Sequence, residues 1–242
     1  MHNPNAGRKT VLRFFSALLS IVMICSALCV CSVSAAASGA SDYYVGDEIL
    51  FGHYEQDNDT RTSAKKEDIA WIVIDKDDDG RLLLLSKYGL DNTPYQSNGT
   101  STTWAYSRIR EWLNNTFLKS SFSSEEQDMI VETTLENLPN HHYPKVDAGN
   151  ITKDKVFLLS EYEAETYLTK YDRQCLATKY AQGRGTWTKK FEDTCCWWLR
   201  TPGSSGTSAT YVGADGNLVD KGYNVSKLIC AVRPAIWIDL GE

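Results

Sequence analysis

The chain has 242 residues, of which 31 are acidic and 25 are basic, so its formal net charge at pH 7 is −6. An acidic surface repels the phosphates of nucleic acids and the head groups of anionic lipids, which excludes both as expected partners. The length is typical of one globular domain with one hydrophobic core.

The N-terminal segment has the order of charge and apolarity that is typical of a secretory signal. Basic residues come first, an uncharged apolar run extends over 14–33, and small residues follow it. We therefore predict a signal peptide over 1–37 that is cleaved after Ala35 or Ala37. The alternative is an uncleaved membrane anchor, because about 20 apolar residues also suffice to span a bilayer. Either way the globular domain, 42–240, is expected outside the cytoplasm, secreted or at the cell surface.

The first predicted elements of that domain are strands. Residues 47–51 alternate in polarity, as a half-buried strand does. Residues 69–75 and 81–86 are predicted to pair as a hairpin around a polar turn that ends in Asp79-Gly80. The second arm is an almost pure leucine run that must be buried on both faces, so we predict it as a central strand.

The middle of the chain has helical spacing. Four side chains recur on one apolar helix face, at i, i+3, i+4 and i+8: Ile109, Trp112, Leu113 and Phe117. Two pairs of residues match the capping box and predict further helix starts: Ser123 with Glu126, and Ser160 with Glu163. Between these two boxes, residues 137–154 are predicted to be loop and 156–159 a short buried strand.

The last third of the chain is predicted to return to strand and loop. Residues 196–200 form a short aromatic strand, and 211–219 form a hairpin that turns at an Asp-Gly pair. Residues 230–239 form a closing strand, in which Pro234 favours an edge or a bulge. Strands at both ends with helices grouped between them predict an α+β domain.

Cysteine usage after the signal segment points to disulfide bonds. The four candidates are Cys175, Cys195, Cys196 and Cys230, an even number in a protein expected to be exported. A bridge between the neighbours Cys195 and Cys196 would strain the peptide between them, so each is expected to pair with a distant partner, either Cys175 or Cys230. The alternative is free thiols, because a protein of this size does not need covalent support.

The sequence lacks the common catalytic and metal-binding signatures, such as H-E-x-x-H, G-x-S-x-G, a phosphate loop or C-x-x-C after the signal segment. The run 75–80 opens like a calcium loop, but its twelfth position is not glutamate and strands flank it, so we predict a hairpin turn. The adjacent His141 and His142 are interpreted as part of a solvated loop. We therefore predict no metal, no cofactor and no catalytic residue.

Aromatic residues in or beside the loops are the best candidates for contact with a ligand. Exposed aromatic faces with polar neighbours suit sugar rings and peptides, and Trp104, Trp187 and Tyr211 are the candidates. Arg200, two residues before a proline, is a fourth candidate because it could bind an anion. The competing interpretation is core packing for each aromatic residue and a structural ion pair for Arg200.

Eight stretches of the chain occur in the order found in one bacterial exported family. They are "ILFGHYEQ", "IAWIVID", "LLLLSKYGLD", "WAYSRIREWLNNTF", "FSSEEQDMI", "DKVFLLSEYEAETY", "CWWLRTPG" and "AVRPAIWI". Over nearly all of 47–239 the chain thus resembles the family called domain of unknown function 6273. That family has no agreed activity, so the resemblance implies a class of protein and not a reaction.

The end of the chain is also similar to the end of C-type-lectin-like domains related to the formylglycine-generating enzyme. This resemblance implies a C-type-lectin-like single domain with short twisted antiparallel strands, two to three helices and long loops. It implies no activity, because the copper-binding cysteine pair of those oxidases does not align with Cys195, Cys196 or Cys230. The iron-dependent relatives need a histidine triad that the sequence lacks.

The sequence therefore predicts a non-catalytic extracytoplasmic binding module for a glycan, a peptide or a cell-surface protein. Two alternatives stay open. An oxidase like the formylglycine-generating enzyme requires a free thiol pair in a cleft, and a purely structural surface protein has no concave pocket. Membrane contact is expected only through an uncleaved N-terminal segment.

Overall fold

The structure is a computed structural model that describes residues 42–59, 61 and 66–241. The predicted signal segment, 1–37, lies outside these residues. The described strands are β1 (Glu48–Tyr54), β2 (Glu67–Lys76), β3 (Leu82–Ser86), β4 (Thr133–Leu135), β5 (Thr152–Asp154), β6 (Val156–Phe157), β7 (Cys175–Leu176), β8 (Thr194–Cys195), β9 (Trp197–Pro202), β10 (Ser208–Val212), β11 (Leu218–Asn224) and β12 (Ala235–Ile238).

The described α-helices are short and lie mostly between the two strand-rich ends. They are α1 (Arg108–Trp112), α2 (Leu118–Ser121), α3 (Ser124–Met129), α4 (Glu161–Tyr167) and α5 (Lys179–Gly183). This arrangement confirms the predicted α+β class. The structure has five short α-helices in its described residues, whereas two to three helices were expected. None of them combines the length and the apolarity that a membrane span needs.

The leucine run becomes β3, the middle strand of a five-stranded antiparallel sheet. The strand order in this sheet is β1-β2-β3-β12-β6, and every residue of β3 is buried. A strand with neighbours at both edges and side chains covered on both faces can be uniformly apolar, which is the reason for the pattern. The prediction of a hairpin with a central second arm is confirmed.

The closing strand is shorter than predicted because of Pro234. Regular pairing with β3 begins only after this proline, from Ala235 opposite Leu85. Proline has no N–H to give to a ladder, and here only its carbonyl takes part, accepting from the Ser86 N–H at 2.9 Å. Residues before it form isolated bridges instead, including Val232 with Asp91.

The predicted apolar helix face and both capping boxes are present. Ile109, Leu113 and Phe117 are buried, and a π-helical turn, Leu113–Phe117, joins α1 to α2. At the start of α3 and at the start of α4, the capping serine and the glutamate three residues later bond each other's backbone N–H groups. The hydrogen-bond distances are 2.7 to 3.2 Å.

Several elements were not predicted, and all of them are very short. The predicted loop 137–154 contains β5, which pairs with β4. The two-residue strands β7 and β8 pair with each other, and α5 follows β7 directly. Two or three residues are too few to display a period of hydrophobicity, so sequence patterns cannot reveal such elements.

A second sheet, with order β11-β10-β9, forms the part of the fold that carries the candidate sites. The predicted hairpin joins β10 to β11 through a tight turn, in which the Gly213 N–H donates to the Asn217 carbonyl at 2.8 Å. Asp215 Oδ1 accepts from the Asn217 N–H at 3.1 Å, and Gly216 has a φ of 78°. The Asp-Gly pair therefore acts as predicted, because glycine supplies the left-handed backbone that this turn requires.

Candidate functional site

The structure separates the four predicted ligand-binding residues into two groups. Trp187 and Tyr211 line one concave pocket, whereas Trp104 and Arg200 are buried elsewhere in the domain. We call the concave feature the Trp187 pocket. Its lining residues are Trp187, Cys196, Tyr211, Gly213, Ala214, Tyr223 and Ile229, and its volume is about 360 Å³.

The β10–β11 hairpin sets two tyrosine rings against each other in this pocket. The ring of Tyr211 on β10 lies 6.2 Å from that of Tyr223 on β11, at an interplanar angle of 84°. On its other side Tyr211 meets the buried ring of Trp198 at 6.4 Å and 77°. Edge-to-face contacts of this kind are favourable, so Tyr211 is held in place between the core and the pocket.

Trp187 lines the same pocket from a loop that is tied to the core. Its backbone N–H donates to the Ile229 carbonyl at 3.0 Å, and the next residue, Thr188, bridges to Cys195. The indole itself is 55% exposed and Tyr223 is 39% exposed, which leaves aromatic surface open to solvent. An exposed aromatic residue on an anchored backbone is available for a ligand at little cost in conformational entropy.

The chemistry of the Trp187 pocket is apolar and uncharged. Among the described residues that line it, none carries an ionisable acid or base other than the tyrosines and Cys196. Burial, together with the nearby Cys230 and Cys196 thiols, raises the pKa of Tyr211, so its phenol stays protonated and can donate a hydrogen bond. Aromatic faces with hydroxyl donors at their edges suit a neutral ligand that has both apolar and polar faces.

Trp104 is corrected from a candidate ligand contact to a core residue. It is fully buried, and its indole Nε1–H donates to Asp154 Oδ2 at 3.0 Å. The same carboxylate accepts from Arg110 Nε at 2.7 Å and from the Thr152 hydroxyl at 2.8 Å. Trp104 is therefore a packing residue of the core, and its indole N–H has a hydrogen-bond acceptor inside the protein.

Arg200 is corrected in the same way, because it is buried and paired. Its guanidinium forms a two-pronged ion pair with Glu163, with Nη2 at 2.8 Å from Oε1 and Nη1 bonded to Oε2. Nη1 also donates to the Leu158 carbonyl at 3.0 Å. Arg200 ties β9 to α4 and has no free surface with which to bind an anion, as the structural alternative predicts.

The four cysteines are free thiols in the structure, and it brings them together as two pairs. Cys175 and Cys195 are directly opposite in the β7–β8 ladder. Cys196 and Cys230 are hydrogen-bonded to each other. This bond lowers the pKa of Cys196. The pKa of Cys230 is raised, first by burial and then by Cys196. Cys195 and Cys196 thus each face a distant partner, and the formation of disulfide bonds stays a prediction.

Mild oxidation is expected to join these pairs and not the others, because the members of each pair are already neighbours. Peptide mapping of the oxidised protein without reductant should recover Cys175 with Cys195 and Cys196 with Cys230. A Cys175→Ser variant is the control and should still form the second bridge. Recovery of a Cys175–Cys230 peptide would contradict the pairing seen here.

A second concave feature, which we call the His142 cleft, has a volume of about 640 Å³. Three of its lining residues, His142, Glu161 and Asp220, place one potential metal-ligand atom each within 4.8 Å of one another. From the sequence, His142 is interpreted as part of a solvated loop. In the structure its Nδ1 lies 2.9 Å from Asp220 Oδ2, so the side chain is paired with a carboxylate and is not simply solvated. Burial first, and then the neighbouring Asp220, raise the pKa of Glu161 to about 7.

The loop that carries His142 is fixed by a buried asparagine. Asn140 is fully buried and its amide donates to the carbonyls of Pro202 on β9 and Asp220 on β11, each at 2.8 Å. Its Oδ1 accepts from the backbone N–H groups of His142 at 2.8 Å and Tyr143 at 3.1 Å. One side chain therefore sets the position of the histidine loop relative to the strand that carries Asp220.

Sequence reasoning missed Tyr223, Ile229 and the three residues grouped in the His142 cleft. The predicted hairpin ended at Val219, whereas β11 continues to Asn224. Tyr223 pairs with Ala209, which lies before the predicted start of the first arm, so the predicted bounds could not include it. No comparable signal links His142, Glu161 and Asp220, because they belong to a loop, a helix start and a strand that are distant in sequence.

Comparison with known proteins gives one match. A family model described as Domain of unknown function (DUF6273) matches residues 79–240, a stretch that contains both the Trp187 pocket and the His142 cleft. Neither a curated protein nor a solved structure matches the chain.

Proposed function

We propose that this chain, which belongs to the DUF6273 family of domains of unknown function, is a non-catalytic binding module that acts outside the cytoplasm of a bacterium. The family assignment made from the motifs is confirmed by the match over 79–240. One observation carries the functional proposal. Trp187 and Tyr211, which come from separate loops and strands, converge with Tyr223 on one concave aromatic pocket.

A glycan is the ligand class that the Trp187 pocket favours over a peptide or another surface protein. A sugar ring has an apolar face that packs on aromatic side chains and hydroxyl groups at its rim that accept from phenols. The pocket offers both features and no charged lining residue among those described. Its volume lies at the lower end of the range of about 300–1,000 Å³ that is usual for ligand pockets, which suits one ring.

Export and a C-type-lectin-like fold belong to the same proposal. The order of basic, apolar and small residues over 1–37 supports a signal peptide, or else an anchor, and hence a secreted or surface location. Two features support the C-type-lectin-like fold. The end of the sequence is similar to the end of C-type-lectin-like domains, and the α+β domain has short antiparallel strands and long loops. Both are tested directly, the first by the mass of the native protein and the second by an experimental structure.

The experiment for the binding proposal is a screen of the protein on a glycan array and a peptide library, followed by affinity measurements with the best ligand. Trp187→Ala is expected to weaken binding by about tenfold or more, because an aromatic stacking contact is lost. Tyr223→Ala should weaken it similarly. Tyr171→Ala is the matched control, because Tyr171 is 79% exposed and does not line the pocket.

Three outcomes are informative. Glycan binding that falls in the pocket variants and not in the control supports the proposal. Peptide binding with the same pattern keeps the pocket but replaces the ligand class. Binding that is equal in all variants, or the absence of any ligand, contradicts a binding role for the Trp187 pocket and favours a structural surface protein.

A second candidate, an oxidase like the formylglycine-generating enzyme, is favoured by one observation. Cys196 lines the Trp187 pocket, and Cys230 is its buried neighbour, so one member of a free thiol pair reaches the pocket. Against this, Cys196 is 5% exposed and Cys230 is fully buried, which limits access to the thiolates that such chemistry needs. Thiol titration of the folded native protein separates the two, since a Cys196–Cys230 bridge would remove the oxidase.

A further inference from the structure

We propose that His142, Glu161 and Asp220 bind a divalent transition-metal cation such as Zn²⁺ in the His142 cleft. The proposal is independent of ligand binding in the Trp187 pocket. It adds a metal site to a chain whose sequence predicts none.

The first argument is the spacing of the donor atoms. One imidazole nitrogen and two carboxylate oxygens lie within 4.8 Å of one another. Ligands at about 2.0–2.2 Å from a tetrahedral zinc ion are separated from each other by about 3.3–3.6 Å. The His142–Asp220 contact of 2.9 Å would therefore open slightly around a cation.

The second argument is the state of Glu161. This residue is 9% exposed and lines the cleft; its carboxyl is hydrogen-bonded to that of Asp220, and Glu165 is a further acidic neighbour. Among the described residues no basic side chain forms an ion pair with its carboxylate; the ion pair in the cleft joins His142 to Asp220. Two neighbouring carboxylates in a buried site are costly when both are ionised, and a divalent cation between them supplies the compensating charge.

Among the described residues that line the cleft, Arg173 alone is an arginine or lysine, and its side chain is bonded elsewhere. Arg173 lines the cleft, but its guanidinium donates to the backbone carbonyls of Gly216 at 2.9 Å and Leu168 at 3.0 Å. The guanidinium of Arg173 is therefore bonded to backbone carbonyls and does not form an ion pair with Glu161. Arg173 therefore does not supply the positive charge that Glu161 and Asp220 need when both are ionised.

The third argument is that the three donors come from elements held together by buried hydrogen bonds. Asn140 ties the His142 loop to the backbone of Asp220, as described above. The Glu161 N–H donates to the Thr201 hydroxyl at 2.9 Å, which ties the start of α4 to β9. A metal site formed on positions fixed in this way loses little conformational entropy when it binds its ion.

The donor set selects the class of metal. Ca²⁺ and Mg²⁺ prefer oxygen ligands throughout, whereas an imidazole nitrogen with two carboxylates suits Zn²⁺, Mn²⁺ or Co²⁺. Three protein ligands leave at least one coordination position, and in this cleft it faces a cavity of about 640 Å³. The site is thus of the kind that admits water or an external ligand to the metal.

The test uses Co²⁺ and Zn²⁺ with the purified protein. We expect one ion per chain by equilibrium dialysis, and a Co²⁺ absorption spectrum of nitrogen and oxygen ligation without the intense sulfur-to-metal band that thiolate ligands give. Glu161→Gln and Asp220→Asn should each weaken binding about 100-fold, because each removes a charged ligand while it keeps the side-chain shape. His141→Ala is the matched control, since His141 lines the same cleft but is not in the ligand set.

A second control addresses the other acidic cluster, in which Glu55, Asp57 and Glu67 lie within the same 4.8 Å limit. Glu55→Gln should leave the affinity unchanged. Circular dichroism in the presence of a chelator verifies that each variant is folded. The proposal is overturned if the ion count is unaffected by Glu161→Gln and Asp220→Asn, if Glu55→Gln abolishes binding, or if the Co²⁺ spectrum reports thiolate ligands.

Discussion

Replacement of Glu163 by glutamine is expected to lower the free energy of unfolding by about 3–5 kcal/mol, the cost of breaking a buried ion pair from one side. Arg200 is 4% exposed and Glu163 is its carboxylate partner, so the variant leaves a guanidinium charge without a counter-ion. Glutamine still accepts hydrogen bonds and is compatible with the capping box, so the loss reports on charge and not on the helix start. Urea denaturation measures the effect.

Glu126→Gln is the matched control, because Glu126 occupies the corresponding position in the other capping box. Its two carboxylate oxygens accept from the backbone N–H groups of Gly52 and Ser123, and glutamine, which has one acceptor oxygen, can keep only one of these bonds. We expect a loss of about 1–2 kcal/mol, the cost of one hydrogen bond, which is smaller than the loss in Glu163→Gln because no buried charge is left unpaired. Equal losses in the two variants would contradict the special role of the Arg200–Glu163 pair.

The same pair predicts a dependence of stability on pH. Burial pushes the pKa of Glu163 up, but the charge and hydrogen bonds of Arg200 outweigh burial and hold the pKa below its ordinary value. A carboxyl with a lower pKa in the folded state stabilises the protein above its ordinary pKa, and this contribution is lost as the pH falls through the folded value. The Glu163→Gln variant should therefore lose less stability on acidification than the original protein does.

Asp154→Ala is expected to cost a similar amount, about 3–5 kcal/mol, because Asp154 satisfies three buried or half-buried donors at once. Its removal leaves the Trp104 indole N–H without its partner inside the core and takes the carboxylate from Arg110. It also removes the acceptor of the buried Thr152 hydroxyl, a bond within β5. Thermal and urea denaturation should both report the loss.

A double-mutant cycle with Trp104→Phe isolates the indole contribution. Phenylalanine keeps most of the apolar ring and removes the N–H, so alone it should cost about 1–2 kcal/mol. In the Asp154→Ala background, Trp104→Phe should lower the free energy of unfolding by less than it does alone. The indole N–H has already lost its acceptor there, and the phenylalanine removes this unpaired donor. Additive losses would contradict the coupling. Neither variant is expected to change affinity in the Trp187 pocket for the folded protein.

These two predictions concern residues that look like ligand contacts in the sequence. Trp104 lies beside a polar loop and Arg200 lies just before a proline and a glycine-rich loop. Whether such a residue faces solvent depends on the partner that meets it from elsewhere in the chain. For Trp104 the partner is Asp154, and for Arg200 it is Glu163, and neither is near its partner in sequence.

Much of the fold was predictable because the signals are local. The leucine run of β3, the apolar face of Ile109, Leu113 and Phe117, and the two capping boxes each depend on neighbours within a few residues. The Asp-Gly turn between β10 and β11 is equally local. The short pairs β4–β5 and β7–β8 have no such signal, because they exist only where distant segments meet.

For function, the residues alone indicate the class of the chain and its family motifs, the absence of common catalytic signatures, and two of the aromatic residues that line the pocket. The tertiary structure selects among the candidates: it brings Trp187 and Tyr211 to Tyr223, buries Trp104 and Arg200, pairs the four thiols, and gathers His142, Glu161 and Asp220. The physical reason is that secondary structure follows from local periodicity and capping, whereas a pocket or a metal site requires side chains from several elements to meet, and long-range packing alone sets where they meet.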